Sequence, residues 1–297
     1  MDRTTLLTEM YCKIDDILQQ EFYKQALYRP GTKPILTDSE IITLSIYQEF
    51  TSYTKEDDFW KFTQKYLRGE FPNLIDRSQY NRRKRDLWNV MNLIRFEILK
   101  DLHEETDLTI FDTIPIPVST YTKGSNTKRF YDANFGLCAS KNMKYFGYKI
   151  GIHVSTTGTL LDFELGSASP HDINYAESIL TKYSGIVTLA DKAMLSDNLQ
   201  TDLKRYNGVI LVTPKKSNSK EKNTRFSKYL LRKFRNIIET VGSQLSNLFN
   251  IEKTWAKTQW GVFARVMSKF LAYTFGLYIN KKYNLEYNNL DQLMNLM

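Results

Sequence analysis

The sequence predicts a mixed α/β domain over residues 105–297 preceded by an all-helical region over residues 1–104, and three observations carry that division. Before about residue 104 the apolar residues recur at helical spacing. From Leu108 the texture changes to five short runs rich in β-branched and aromatic residues, LTIFDTIPIPV, YFGYKIGIHVS, TLLDFELGSA, GIVTLAD and GVILVTPK, bounded by Gly, Asn, Pro or Asp. The second and third runs are joined by Thr156-Thr157-Gly158-Thr159, which suits a hairpin, whereas a helical segment from Leu195 to Tyr206 separates the fourth and fifth. An antiparallel meander followed by alternating helices and strands gives a mixed sheet flanked by helices.

In the first region, Leu6, Met10, Ile14, Ile17 and Leu18 form an apolar face, and Thr37 with Glu40 offers a capping box ahead of Ile41, Ile42 and Leu44. Asp76 or Ser78 can cap a helix whose stripe is Tyr80, Leu87, Met91, Ile94 and Ile98, with Arg82, Arg83, Lys84 and Arg85 crowding its first turns. In the second region, Pro115 and Pro117 are expected to end the first strand soon after Asp112, leaving that carboxylate at a sheet rim. A Lys-rich loop after Pro214 leads into a helix with Leu230, Phe234, Ile237, Ile238, Val241, Leu245 and Leu248 on one face and Glu239 within it. Linker candidates are residues 123–129 and 215–223.

Lys and Arg outnumber Asp and Glu by 41 to 33, a formal charge of +8, which favours a polyanionic partner. Cys12 and Cys138 lie far apart, which excludes a disulfide framework and a cysteine zinc site and fits a reducing, cytoplasmic setting. Cys138 is expected as a buried thiol, and with His103, His153 and His171 as the only histidines a His-rich zinc site is excluded as well. The N-terminus lacks the apolar run of a signal peptide, and the stretch around Phe270 to Ile279 is too short for a membrane span and reads as a core helix.

Asp112 and Asp191 each close an apolar strand-like run, and Glu239 sits in a basic helix. Carboxylates delivered from two strand ends and a helix can share two hard divalent cations for phosphoryl transfer. Taken singly, each also has a structural reading, as a turn residue or a surface ion-pair partner.

The surrounding residues, Asp112-Thr113-Ile114-Pro115-Ile116, Ala190-Asp191-Lys192 and Ile237-Ile238-Glu239-Thr240, resemble in order and spacing the DDE transposases of bacterial insertion sequences, over roughly residues 36–280. The resemblance implies an RNase H-like core, like that of retroviral integrases, behind a helical DNA-binding region. It also implies Asp112, Asp191 and Glu239 as catalytic metal ligands, two Mg2+ or Mn2+ ions as cofactors, double-stranded DNA as partner, and a homodimer or larger complex on DNA in the bacterial nucleoid. Two departures stand out. Ala193-Met194 replaces the family's Gly-Tyr after Asp-Lys, which would strain the turn if that Gly needs a special backbone angle. In the family's Tyr, Arg, Glu, Lys series around the glutamate, Arg235 and Glu239 match, but Arg232 stands in the Tyr place and Ser246 in the Lys place.

Lys192 could hold a phosphate oxygen, Arg235 could orient Glu239 four residues on, and Lys149 in Gly147-Tyr148-Lys149 resembles a strand lysine near DNA. Each has an ordinary alternative as a solvated, ion-paired or edge-strand residue. Asp172 after His171 is expected to cap a helix, with a site role for this His-Asp pair, which the family often has here, as the alternative. For DNA, Arg77, Arg82, Arg83, Lys84 and Arg85 could contact phosphates from a helix that resembles the third of a helix-turn-helix, with Tyr80 packed behind. A second basic cluster comprises Lys215, Lys216, Lys220, Lys222, Arg225, Lys228, Arg232 and Lys233, while Trp255 and Trp260 are expected in the core. The expected function is metal-dependent cleavage and strand transfer at terminal inverted repeats. A nuclease of the same fold, and a catalytically inactive element-derived DNA-binding protein, are the alternatives.

Overall fold

Helix caps and strand-forming runs fall close to where the residue pattern sets them. The computed structural model describes residues 1–26, 30–104, 107–126, 128–139, 141–216, 218–219 and 222–294. In chain order the helices are α1 (Arg3–Leu18), α2 (Glu21–Ala26), α3 (Asp38–Tyr47), α4 (Glu56–Tyr66), α5 (Arg77–Asp86), α6 (Trp88–Leu102), α7 (Asp172–Leu180), α8 (Asp197–Asp202), α9 (Arg225–Ser243) and α10 (Gln259–Lys282). The strands are β1 (Leu108–Thr120), β2 (Asn134–Cys138), β3 (Met143–Ser155), β4 (Leu160–Ser167), β5 (Val187–Ala190) and β6 (Ile210–Val212). They form two compact units, one of Met1–Leu102, Leu248–Asn250 and Trp260–Met297, the other of His103–Asn247 and Ile251–Gln259.

The first unit is helical. Glu40 N–H donates to Thr37 Oγ1 at 3.2 Å and Thr37 N–H to Glu40 Oε2 at 2.6 Å, the reciprocal capping box that starts α3. Asp76 accepts from Ser78 N–H at 2.7 Å and starts α5. The stripe of Tyr80, Leu87, Met91, Ile94 and Ile98 is buried as expected, but it runs over two helices. Leu87, with φ −92° and ψ 4°, leaves helical geometry and separates α5 from α6. Residues 260–297, expected with the α/β domain, belong to the helical unit. Phe270, Leu271, Tyr273, Phe275, Leu277 and Ile279 of α10 are all buried, so its apolar surface is covered on every side. Lys269 Nζ donates to Glu49 Oε2 at 2.5 Å and to the Phe249 carbonyl at 2.6 Å.

The second unit is built on a sheet in the order β2-β3-β1-β5-β6, with β4 also paired to β3. β3 lies antiparallel to β1, and β5 and β6 continue parallel to it. The order β4-β3-β1-β5-β6 is the expected RNase H-like mixed sheet. The sixth strand, β2, was not expected: five residues with a central Gly136, three of them exposed, carry no strand-like alternation. The turn between β3 and β4 is the expected hairpin, with Gly158 at φ +93° and Ser155 N–H donating to the Thr159 carbonyl at 2.9 Å.

The prolines do not end the first strand. β1 runs through Pro115 and Pro117 to Thr120 and stays paired with β3 as far as Thr120↔Tyr145. β5 pairs with β1 only through Phe111, so past that residue one edge of β1 carries no strand, and two prolines of the same parity forfeit no ladder bond there. The irregularity between Pro117 and Ser119 absorbs the rest. Of the expected linkers, residues 127, 217, 220 and 221 lie outside the described residues, and Tyr121–Asn126 is a 3-10 helix.

Candidate active site and nucleic-acid interface

Sheet register accounts for the placement of the two aspartates. β1 and β5 run parallel with Phe111 opposite Ala190, so the residues that follow, Asp112 within β1 and Asp191 just past the end of β5, leave the last paired positions side by side. α9 packs against both β1 and β5 and carries Glu239. The start of α9 is fixed at the end of β6, where the Asn223 carboxamide accepts from Lys215 N–H and donates to the Thr213 carbonyl, both at 2.9 Å. Thr224 then caps the helix by accepting from Ser227 N–H at 3.1 Å.

Asp112 is partly buried and Asp191 is exposed. Burial raises the Asp112 carboxyl to about 6, opposed by the hydrogen bond from Thr113 N–H and reinforced by the negative charges of Asp191, Asp172 and Glu239. Those charges place the three expected acids in one electrostatic neighbourhood. Glu239 itself is 58% exposed and accepts from Arg235 Nε at 2.8 Å. The Arg235 guanidinium is held further in its charged form by that bond and by Asp191. Among the described residues no group of three or more His, Cys, Asp or Glu side chains is arranged to hold a metal ion. The donor chemistry nevertheless fits hard divalent cations, since Asp112, Asp191 and Glu239 offer only carboxylate oxygens and Asp112 is disfavoured as an anion first by burial and then by nearby negative charges that a cation would offset.

Asp191 starts a 3-10 turn, Lys192–Met194, in which Met194 is buried. Neither Ala193 nor Met194 has a positive φ, so the replacement of Gly-Tyr by Ala-Met brings no left-handed strain beside Asp191. Lys192, Arg232 and Arg235 are exposed. Lys149 is buried, donating to Asp172 Oδ1 at 2.5 Å and to the Pro170 carbonyl at 2.9 Å. Asp172 is therefore an ion-pair partner in the first turn of α7, and the N-cap position belongs to His171. Asp172 is also one of the negative charges that act on Asp112.

Around α5 the four basic residues have different settings. Arg82 is exposed and Arg85 half-buried. Arg83 pairs with Asp38 at 2.5 Å and donates to the Leu36 carbonyl. Lys84 is buried, 3.7 Å from Glu56, whose carboxylate also takes Arg265 at 3.4 Å and Asn81 at 2.7 Å. Arg77 pairs with Asp57 at 3.5 Å, and Tyr80 is buried behind the helix, stacked on Trp60 at 4.4 Å. In the second cluster Lys216, Lys222, Arg225, Lys228, Arg232 and Lys233 are exposed, Lys215 faces Asp197 at 3.8 Å, and Lys220 lies outside the described residues. Lys204 and Arg205 line an open cleft with Lys215 and were not anticipated.

Trp255 and Trp260 are not core residues: they are 57% and 53% exposed, Trp260 resting against Trp88 and Phe263. Cys138 is half-buried at the sheet edge and Cys12 exposed. His153 is the core histidine, its imidazole driven down to about 3 by burial, so it stays neutral.

Comparison with known families gives a match to the transposase DDE domain over residues 102–259, more than half of the chain. The chain belongs to the DDE transposase family. A comparison with curated proteins gives no match. The matched segment begins with the last residue of α6 and spans the whole sheet and α9, so the transposase domain holds all three carboxylates. Transposases act on DNA, and those of this family typically use divalent metals. No helix among the described residues of the transposase is long and apolar enough to cross a membrane.

Proposed function

We propose that this transposase, from a bacterial insertion sequence, cuts DNA at the terminal inverted repeats of its own element and joins the freed 3′-hydroxyl to a target phosphodiester. Asp112, Asp191 and Glu239 are the proposed ligands of two Mg2+ or Mn2+ ions. Such ions, when bound, lower the pKa of an attacking water or hydroxyl and neutralise charge on the scissile phosphate. The observation that carries the reading is the parallel β1/β5 register, which sets Asp112 beside Asp191 under the helix that bears Glu239. Arg235 positions Glu239, and its guanidinium would be available to a phosphate oxygen if Glu239 held a cation. Lys192 and Arg232, both exposed, contact the DNA backbone.

Arg82 on α5, with Arg85 beside it, is the proposed contact of the helical unit with the terminal repeat, and Arg83 and Lys84 brace that helix through Asp38 and Glu56. Two element ends held together imply two or more copies on DNA. The absence of a positive φ at Ala193 and Met194 supports the active reading over the inactive one.

The test is end cleavage and strand joining by wild type beside Asp112→Asn, Asp191→Asn and Glu239→Gln. Each variant should bind end DNA normally and lose cleavage by more than about 100-fold, beyond the usual effect of an outer-shell change. Undiminished cleavage in any one removes that residue from the site, and cleavage without joined product in the wild type makes the protein a nuclease.

A further inference from the structure

The first three turns of α9 expose what a soluble helix ordinarily hides. Phe226 is 69% exposed and Tyr229 56% exposed, three residues apart and so on one side of the helix. From Arg225 to Arg235 the sequence RFSKYLLRKFR holds five basic residues and no acid. Arg225, Lys228, Arg232 and Lys233 are all exposed, and Lys233 Nζ lies 5.7 Å from the Tyr229 ring centroid and 5.1 Å from that of Phe234. The next apolar residues, Leu230, Phe234 and Ile237, are only half-covered, and Val241 is the first fully buried residue of the helix.

An exposed apolar face can be covered by protein, including a second copy of the chain. Two copies of a segment with five positive and no negative charges repel, whereas a polyanion is attracted. Aromatic rings interleaved with cations suit a strand whose bases are unpaired: bases stack on the rings while the phosphates meet the cations. Inside a paired duplex each base face is already covered by its stacked neighbour. We infer that the N-terminal half of α9 is a platform for single-stranded DNA, on which unpaired nucleotides stack against Phe226 and Tyr229 while Arg225, Lys228, Arg232 and Lys233 neutralise their phosphates. The inference rests on the transposase reading above, because the same helix carries Glu239 and the unpaired stretch would adjoin the cut end.

The experiment measures binding of the full-length protein, without divalent cation, to three labelled DNAs: a fully paired end duplex, the same duplex with several unpaired nucleotides beside the end, and oligo(dT). Wild type should prefer the second and third. Phe226→Ala and Tyr229→Ala should each weaken those two by about 5- to 100-fold and leave the paired duplex unchanged, and Phe226→Trp and Tyr229→Phe should restore them. Equal binding of paired and unpaired DNA by wild type, or an equal loss on both in the Ala variants, overturns the platform while leaving the transposase reading intact. So does a Phe226→Ala/Tyr229→Ala protein that turns from dimer to monomer in sedimentation, since the face would then cover a second copy. Failure of wild type to bind any of the three DNAs overturns both readings.

Discussion

Asp112 is a residue whose surroundings work against the stability of the fold. With its carboxyl raised to about 6, against about 3.8 in the unfolded chain, the folded protein binds more protons than the unfolded one between those values. Its contribution to stability therefore grows as pH falls through 6 and is unfavourable above it. In EDTA at pH 7.5, Asp112→Asn should raise unfolding free energy by about 1–3 kcal/mol, a gain that fades toward pH 4, read from urea denaturation. Glu56 is the opposite case. It is the shared anion for two buried cations, and burial together with the charge of Arg265 lowers the Lys84 ammonium to about 8. Glu56→Gln should cost about 3–5 kcal/mol at neutral pH. Because the Glu56 charge supports the Lys84 ammonium, its removal should lower that pKa further, so the loss should shrink as pH rises toward 8 and stay level above it.

Helices and strands depend on a few positions where the backbone leaves no room. Gly147 lies opposite Pro117 in the β1/β3 ladder, and a Cβ there would meet the Ile116 carbonyl oxygen at 2.2 Å and Val118 N at 2.9 Å. Gly147→Ala should destabilise the second unit by about 1–3 kcal/mol or more, measured by thermal unfolding, because two backbone atoms must move at once. This contact also shows where the sequence could be read and where it could not. Thr37 with Glu40, Asp76 as a cap, the Gly158 hairpin and the α1 stripe are local signals, and each produced the expected feature. The continuation of β1 through Pro115 and Pro117 depends on where β5 stops pairing, which no local pattern records. The break at Leu87 is likewise invisible, since the apolar spacing continues through it. β2 is a strand because β3 offers an edge, and its own residues say little.

The molecule as a whole repeats that division between local and distant information. The motifs around Asp112, Asp191 and Glu239 marked the acids, and the parallel register supplies the reason two of them are neighbours. Lys84, read from its basic cluster, and Lys149, read from its strand motif, are both buried against carboxylates distant in sequence, Glu56 and Asp172. The grouping of residues 260–297 with the helices could not be read from α10, whose apolar residues do not specify their partners. The central claim, that Asp112, Asp191 and Glu239 serve one cation site, is tested most directly by loading the protein with Fe2+ in place of Mg2+. Peroxide then generates radicals that cut the chain only beside the bound iron. Cuts near residues 112, 191 and 239 together, suppressed by excess Mg2+ and by Asp191→Asn, are the expected result; cuts at one of these positions alone, or elsewhere in the chain, would contradict it.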